Sequence, residues 1–124
     1  MKGRVLTKRW DEPREPGDGW RLLITRYRPR ALPKEKETWD AWWSRLGPSA
    51  ELLADFHGKK GPPIPWNEYE SRYLEEMERQ EPYIAELAAR TRAGETITLL
   101  CSAACIDPGR CHRTLLKGLI EAAS

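Results

Sequence analysis

Three cysteines and one histidine are the residues of this chain whose types and spacing could do chemistry. Cys101, Cys105 and Cys111 fall within eleven residues, and His112 follows directly. An odd number of cysteines so close in sequence cannot form a disulfide framework across the fold, so the sequence predicts reduced cysteines. Cys111 lies at the start of a predicted helix, between Arg110 and Arg113. Such surroundings lower the pKa of its thiol and favour the thiolate. Cys111 and Cys101 are therefore candidate catalytic nucleophiles, with His112 as the candidate proton carrier.

Two other interpretations of these four residues stay open. Cysteine is often buried, and Cys101 ends an apolar strand, so it also fits a core position. His112 lies on the apolar stripe of the following helix, where a histidine bonded to a loop carbonyl is equally expected. Cys101, Cys105, Cys111 and His112 also form a set of soft and borderline ligands for a structural Zn²⁺. Neighbouring helical residues diverge by about 100°, which argues against a shared ion, and no cofactor is predicted.

Four arginines predict an anion site. Arg110 and Arg113 lie where a predicted strand passes into a helix, and a helix N-terminus offers free N–H groups to negative ligands. Cations there oppose the helix dipole unless an anion is bound. Arg26 and Arg30 follow an earlier predicted strand, and the carboxyl ends of parallel strands meet at one edge of a sheet. If the two pairs converge, they form a pocket for a small phosphate-like anion.

The basic residues also permit a different function. The net charge is only +2, but residues 1–36 carry eleven Lys/Arg against five Asp/Glu. The strip over residues 21–36 fits a non-enzymatic nucleic-acid-binding module, whose affinity falls steeply with salt. A small enzyme, a binding module and a metal-dependent scaffold are therefore all compatible with the sequence.

The elements that must position these residues follow from periodicity. Strands are predicted over 21–27 and 96–101, and more weakly over 5–10. The stretch between residues 10 and 20 is too short for a crossover helix, so the two strands that it joins are antiparallel or not neighbours. Strands interleaved with helices predict an α/β fold, layered and Rossmann-like, with a small, mostly parallel sheet and helices on its faces.

Five helices are predicted between and after the strands. The first helix spans 34–46, and the second follows Ser49, which caps it. The third starts near Trp66, the fourth at Pro82 and the fifth after Asp107. The first would place Trp39, Trp42, Trp43 and Leu46 on one aromatic face. Trp66 is expected to be the most exposed of the six tryptophans, beside a loop over 57–61 that could close over a site.

Length and composition limit the class of protein. The chain has 124 residues, 40% of them hydrophobic and 32% charged, which fits one globular domain over 1–124. No apolar run approaches the roughly 20 residues of a membrane span, and the start has no signal-peptide pattern. We therefore expect a cytoplasmic protein without a membrane partner.

The motifs resemble a known family. The strand ending in Cys101, the short loop with Asp107 and the tripeptide 111–113 resemble the domain-of-unknown-function 488 family (DUF488). Residues 22–36 are similar to its short-form signature, matching at Arg26, Pro29, Arg30, Leu32, Lys34, Glu35 and Lys36. Thr25 stands where that family usually has Asp, Ala31 where it has Gly, and Arg28 where an aromatic residue is common. The resemblance implies an α/β fold and a bacterial or archaeal cytosolic protein, and it implies no particular reaction.

Overall fold

The computed structural model describes residues 3–124, which build a four-stranded sheet. The strands are β1 Val5–Arg9, β2 Trp20–Leu23, β3 Ala41–Trp42 and β4 Ile97–Cys101. All three pairings are parallel, and the order across the sheet is β1–β4–β2–β3. The prediction of an α/β fold with a parallel sheet is confirmed.

β4 is a central strand, and all five of its residues are buried, as its nearly continuous apolar run predicts. Ile97 of β4 lies opposite Val5 of β1 and Trp20 of β2. Because β4 lies between them, β1 and β2 are not neighbours, which confirms one of the two arrangements that the short connection allowed.

Four α-helices pack around this sheet. They are α1 Ala50–Phe56, α2 Trp66–Met77, α3 Glu81–Arg92 and α4 His112–Ala123. The Ser49 side chain accepts the Leu52 N–H at 3.1 Å and caps α1, as predicted. α4 contacts β1 and β4, and α2 and α3 both contact α4. Within residues 3–124, no helix is long and apolar enough to cross a membrane.

The predicted helix over 34–46 is wrong. This segment forms two 3-10 turns, Lys34–Lys36 and Ser44–Leu46, on either side of β3. Trp43 donates its backbone N–H to Leu23 O at 3.0 Å, so bonds to β2 replace helical ones. Tryptophans suit extended backbone better than helix, and here sheet pairing outweighs their helical spacing.

The tryptophans stabilise this region through edge-to-face packing. The rings of Trp43 and Trp20 have centroids 5.7 Å apart at an interplanar angle of 74°. Trp66 is not the most exposed, contrary to the prediction, because it stacks on Tyr69 at 5.2 Å beside the core. Trp42 at the sheet edge is more open, with 39% of its surface exposed.

The last helix starts later than predicted. Asp107 caps a 3-10 turn, Pro108–Arg110, by accepting the Gly109 N–H at 3.0 Å. Cys111 then has extended backbone, and α4 begins only at His112. Cys111 and His112 are therefore not successive helical residues, so the predicted divergence of their side chains does not apply.

Candidate functional site

A pocket of about 480 Å³ lies at the carboxyl edge of the sheet, beyond β2 and β4. β2 ends at Leu23 rather than at the predicted Tyr27. Thr25 donates its hydroxyl to Tyr27 O at 2.7 Å, and this local turn takes the chain out of the sheet. The segment that follows carries Arg26 and Arg30 to the wall of the pocket.

Three of the four predicted anion-binding arginines line this pocket. Arg26 and Arg30 come from the segment after β2, and Arg110 comes from the turn before α4. All three are exposed, and within residues 3–124 none forms an ion pair with a carboxylate. We call this cavity the arginine pocket. Asp107 also lines it, with Oδ1 bonded to a backbone N–H.

Arg113, the fourth arginine, does not line the pocket. It is only 5% exposed, and its Nη2 lies 3.5 Å from Cys105 O. Its Nε is buried without a hydrogen-bond partner, and no carboxylate among the described residues pairs with it. Arg113 therefore places an uncompensated positive charge next to Cys105 in the pocket wall. A buried guanidinium without a counter-charge is costly.

The basic strip over 21–36 does not form a continuous basic surface. Arg21 is fully buried in an ion pair with Asp18, with Nη1 2.9 Å from Oδ2. Arg28 is paired with Glu37 at 2.7 Å. Phosphate contacts need accessible charges, but Arg21 is inaccessible and the charge of the half-buried Arg28 is balanced by Glu37. The nucleic-acid-binding alternative stays a prediction.

The three cysteines come together at the pocket. Their sulfurs lie within 4.8 Å of one another, and we call them the sulfur cluster. Cys105 and Cys111 are disulfide-bonded, with Cα atoms 6.5 Å apart, and Cys101 is free. The expectation of three reduced thiols, Cys111 among them, is therefore corrected. The short loop between β4 and α4 folds back and brings Cys105 to the start of the helix.

His112 fits the interior interpretation and also contacts a thiol. Its Nε2 lies 2.9 Å from Ile24 O and must donate to that carbonyl, so Nδ1 is the unprotonated nitrogen. Nδ1 lies 3.8 Å from Cys101 Sγ. Burial, with the nearby charge of Arg113, lowers the pKa of His112 to about 4, although the bond to Ile24 opposes this. At neutral pH His112 is an uncharged acceptor for the Cys101 proton.

Cys101 is a protonated thiol at neutral pH. Burial raises its pKa to about 11, against a smaller lowering by the Ser102 N–H and by Arg113. A thiolate–imidazolium pair is therefore not preformed between Cys101 and His112, and deprotonation must precede any attack by this sulfur.

In the oxidised protein, we expect alkylation of Cys101 by iodoacetamide to rise about tenfold per pH unit between pH 7 and 10, because the thiolate fraction does so below the pKa. The rate is measured by mass spectrometry, with Cys101→Ala as the blank. A rate that levels off near pH 8 would contradict this assignment.

The structure removes one argument against a metal site. Because Cys111 is extended, its sulfur and His112 Nδ1 can both face Cys101. Three thiolates and an imidazole suit Zn²⁺, but sulfurs joined in a disulfide are not thiolate ligands. The metal-site alternative thus applies only to the reduced chain and stays a prediction.

Sequence reasoning missed the apolar floor of the pocket. Leu53 and Phe56 of α1 and Tyr69 of α2 contribute to it, and Tyr27 and Ile106 line the pocket while being 62% and 77% exposed. Helical periodicity marks the first three as inward-facing, but it cannot separate a core position from a pocket wall. Such a floor suits a ligand with an apolar part.

The loop over 57–61 reaches the pocket in part. His57 lines it, whereas Lys59 and Lys60 are exposed and do not. The loop therefore contributes an imidazole to the wall rather than the two ammonium groups.

These features define a class: a parallel α/β protein with a ligand-sized pocket at the carboxyl edge of its sheet, walled by arginines and sulfurs. The family model described as the active DUF488-N3 subclade matches residues 5–124. The chain belongs to the DUF488 family, and the resemblance seen in the sequence is confirmed.

Two relatives show the extent of the similarity. The uncharacterized protein YeaO of Escherichia coli is 33% identical over 99 residues, covering 80% of this chain and 83% of the relative. The uncharacterized protein Rv3073c of Mycobacterium tuberculosis is 33% identical over 88 residues, covering 71% of each chain. No solved structure matches significantly.

Proposed function

We propose that this protein binds a small molecule with an anionic group, a phosphate or a carboxylate, in the arginine pocket. One observation carries the proposal: Arg26, Arg30 and Arg110 reach the same cavity from two separate segments, without ion pairs in the described residues. Guanidinium groups that share a cavity repel one another, and a bound anion replaces this repulsion with charge-assisted hydrogen bonds.

The surroundings support a ligand larger than a bare ion. Leu53, Phe56 and Tyr69 give the cavity an apolar floor, which favours an organic body attached to the anionic group. Cys101, Cys111 and His112 line the same cavity. A ligand bound there therefore lies next to the cysteine sulfurs, which can react with it.

The direct test is phosphate binding by isothermal titration calorimetry. We expect Arg26→Gln, Arg30→Gln and Arg110→Gln each to weaken binding about tenfold, because each removes one charge-assisted hydrogen bond. Arg79→Gln is the matched control, since Arg79 is exposed and lies outside the pocket. Its affinity should equal that of the unmodified protein.

Two outcomes would overturn the anion pocket. One is no phosphate binding at all. The other is phosphate binding that all four variants weaken equally, which would mean a general response to net charge.

A further inference from the structure

Three sulfurs of unequal exposure form one wall of the arginine pocket. Cys105 is half-buried, whereas Cys101 and Cys111 are each only 3% exposed. Cys101 Sγ lies 3.2 Å from Cys111 Sγ, and all three cysteines line the cavity. A disulfide that faces a ligand pocket is open to attack by a thiol bound there.

We propose that the pocket is a thiol–disulfide exchange site for a small thiol that carries a carboxylate or phosphate group. The substrate's anionic group lies on Arg26, Arg30 and Arg110, and its sulfur faces the Cys105–Cys111 disulfide. This assignment rests on the proposed anion pocket and adds the reaction and the substrate class to it.

Exposure selects the sulfur that is attacked. Thiolate attack needs access along the disulfide axis, and Cys105 is the more exposed of the two bonded cysteines. Cys111 is then the leaving group and becomes a thiolate inside the fold.

The surroundings of Cys111 suit a thiolate. Cys111 occupies the N-cap position of the twelve-residue α4, where free N–H groups favour negative charge. The guanidinium of Arg113 is buried beside this wall without a carboxylate partner. A thiolate at Cys111 supplies the counter-charge that Arg113 lacks in the oxidised protein.

Cys101 positions and stabilises this leaving group. In the disulfide, Cys111 Sγ carries no proton, so any hydrogen bond across the 3.2 Å contact must be donated by Cys101. The same S–H also has His112 Nδ1 as an acceptor at 3.8 Å. When the thiolate forms, the Cys101 proton can turn from the imidazole toward the new charge.

The exchange balances in two steps. The substrate thiolate attacks Cys105 Sγ, a substrate–Cys105 bond forms, the Cys105–Cys111 bond breaks, and the electron pair leaves on Cys111. A second substrate thiolate then attacks the sulfur of the first, releasing a substrate disulfide and a Cys105 thiolate. Two substrate thiols are oxidised and the protein disulfide is reduced to two thiols. The reverse sequence, with a substrate disulfide as oxidant, restores the starting state.

The test follows reduction of the oxidised 124-residue chain by mercaptopropionate, with mercaptoethanol as the neutral probe and mercaptoethylamine as the cationic one. Rates per thiolate are divided by the rate of the same thiol with the disulfide of mercaptoethanol, because the three thiols differ both in ionisation and in the nucleophilicity of their thiolates. We expect the anionic probe to react about tenfold faster than the cationic one, and Arg26→Gln to reduce that preference. Arg79→Gln should keep it.

Trapping identifies the sulfur that is attacked. After an acid quench, peptide mass spectrometry should find the mixed disulfide on Cys105. Cys105→Ser should abolish it, and Cys101→Ala should slow exchange with the anionic and cationic probes by the same factor, so that the charge preference is kept. This last readout separates a role at the leaving group from a general loss of structure.

Four outcomes would overturn the inference: a Cys105–Cys111 disulfide that does not form, equal rates for all three probes, a mixed disulfide on Cys111 or Cys101, or retention of zinc by the reduced protein that prevents oxidation. Phosphate calorimetry on the same samples separates the two proposals. If phosphate binds but the charge preference is absent, only the exchange inference fails. If phosphate does not bind, the proposed anion pocket is wrong, and the exchange inference that rests on it is wrong as well.

Discussion

Replacing Asp18 by asparagine is expected to destabilise the fold by about 3–5 kcal/mol, the cost of leaving a buried charge without its partner. Asp18 Oδ2 lies 2.9 Å from Nη1 of Arg21, which has no exposed surface. Arg21 Nη2 donates to Glu12 O at 2.8 Å, and its Nε has no partner. Asp18 Oδ1 also pairs with Lys8 at 2.8 Å. Asparagine removes the charge that compensates both cations, and urea denaturation at constant slope measures the loss.

The same carboxylate makes stability depend on acid. Burial acts to raise the pKa of Asp18, but the hydrogen bonds from Lys8 and the Glu15 N–H, with the charges of Lys8 and Arg21, outweigh it and lower the pKa. Folding therefore favours the ionised form. This stabilisation is complete above the unfolded pKa near 4 and is lost as the pH falls through the lower folded pKa. The Asp18→Asn variant should lack this contribution and show a shallower acid decline.

Asp11→Asn provides the comparison. Asp11 is an exposed partner of Arg9 at 3.2 Å, and such pairs contribute about 0–1 kcal/mol. If Asp18→Asn costs no more than Asp11→Asn, the buried Asp18–Arg21 pair stabilises the fold no more than an exposed pair does.

The sequence predicted the sheet better than its edge. β4 is apolar except for Thr98 and is bounded by turn residues, so pattern alone identified it as a buried strand. The segment over 34–46 failed because helical spacing of tryptophans also fits a strand that alternates faces at a sheet edge. The backbone bonds from Asp40 to Arg21 and from Trp43 to Leu23 decide between them, and those bonds depend on partners about twenty residues earlier in the sequence.

The candidate site was predicted in its residue types and less well in its states. Arg26, Arg30 and Arg110 share a pocket, which the carboxyl-edge rule for parallel sheets anticipated. The Cys105–Cys111 pairing was missed, because a count of cysteines cannot show which sulfurs a folded loop brings together. The burial of Arg113 was missed for a similar reason, since it depends on tertiary packing, including the loop whose Cys105 carbonyl oxygen lies 3.5 Å from Arg113 Nη2.

Replacing Gly47 by alanine is expected to cost about 1–3 kcal/mol, the range for overpacking a closed site, and to weaken phosphate binding as well. Gly47 is buried, and a Cβ there would lie 2.5 Å from Arg26 N and 2.9 Å from Thr25 C. Both contacts are with backbone, which cannot rotate away as a side chain can. The segment after β2 must therefore move, and it carries Arg26 to the pocket.

Gly118→Ala is the matched control for this substitution. Gly118 lies within α4, and a Cβ there would meet nothing within 4 Å. Alanine at an open helical position should stabilise the protein by about 0.5–1 kcal/mol, so the same chemical change has opposite signs at the two sites.

Thermal unfolding and phosphate calorimetry on both variants measure this. If Gly47→Ala matches the unmodified protein in stability and phosphate affinity, close packing at residue 47 does not fix the position of Arg26. If it loses stability but keeps its affinity, the arginine reaches the anion by side-chain flexibility, and the pocket tolerates movement of its wall.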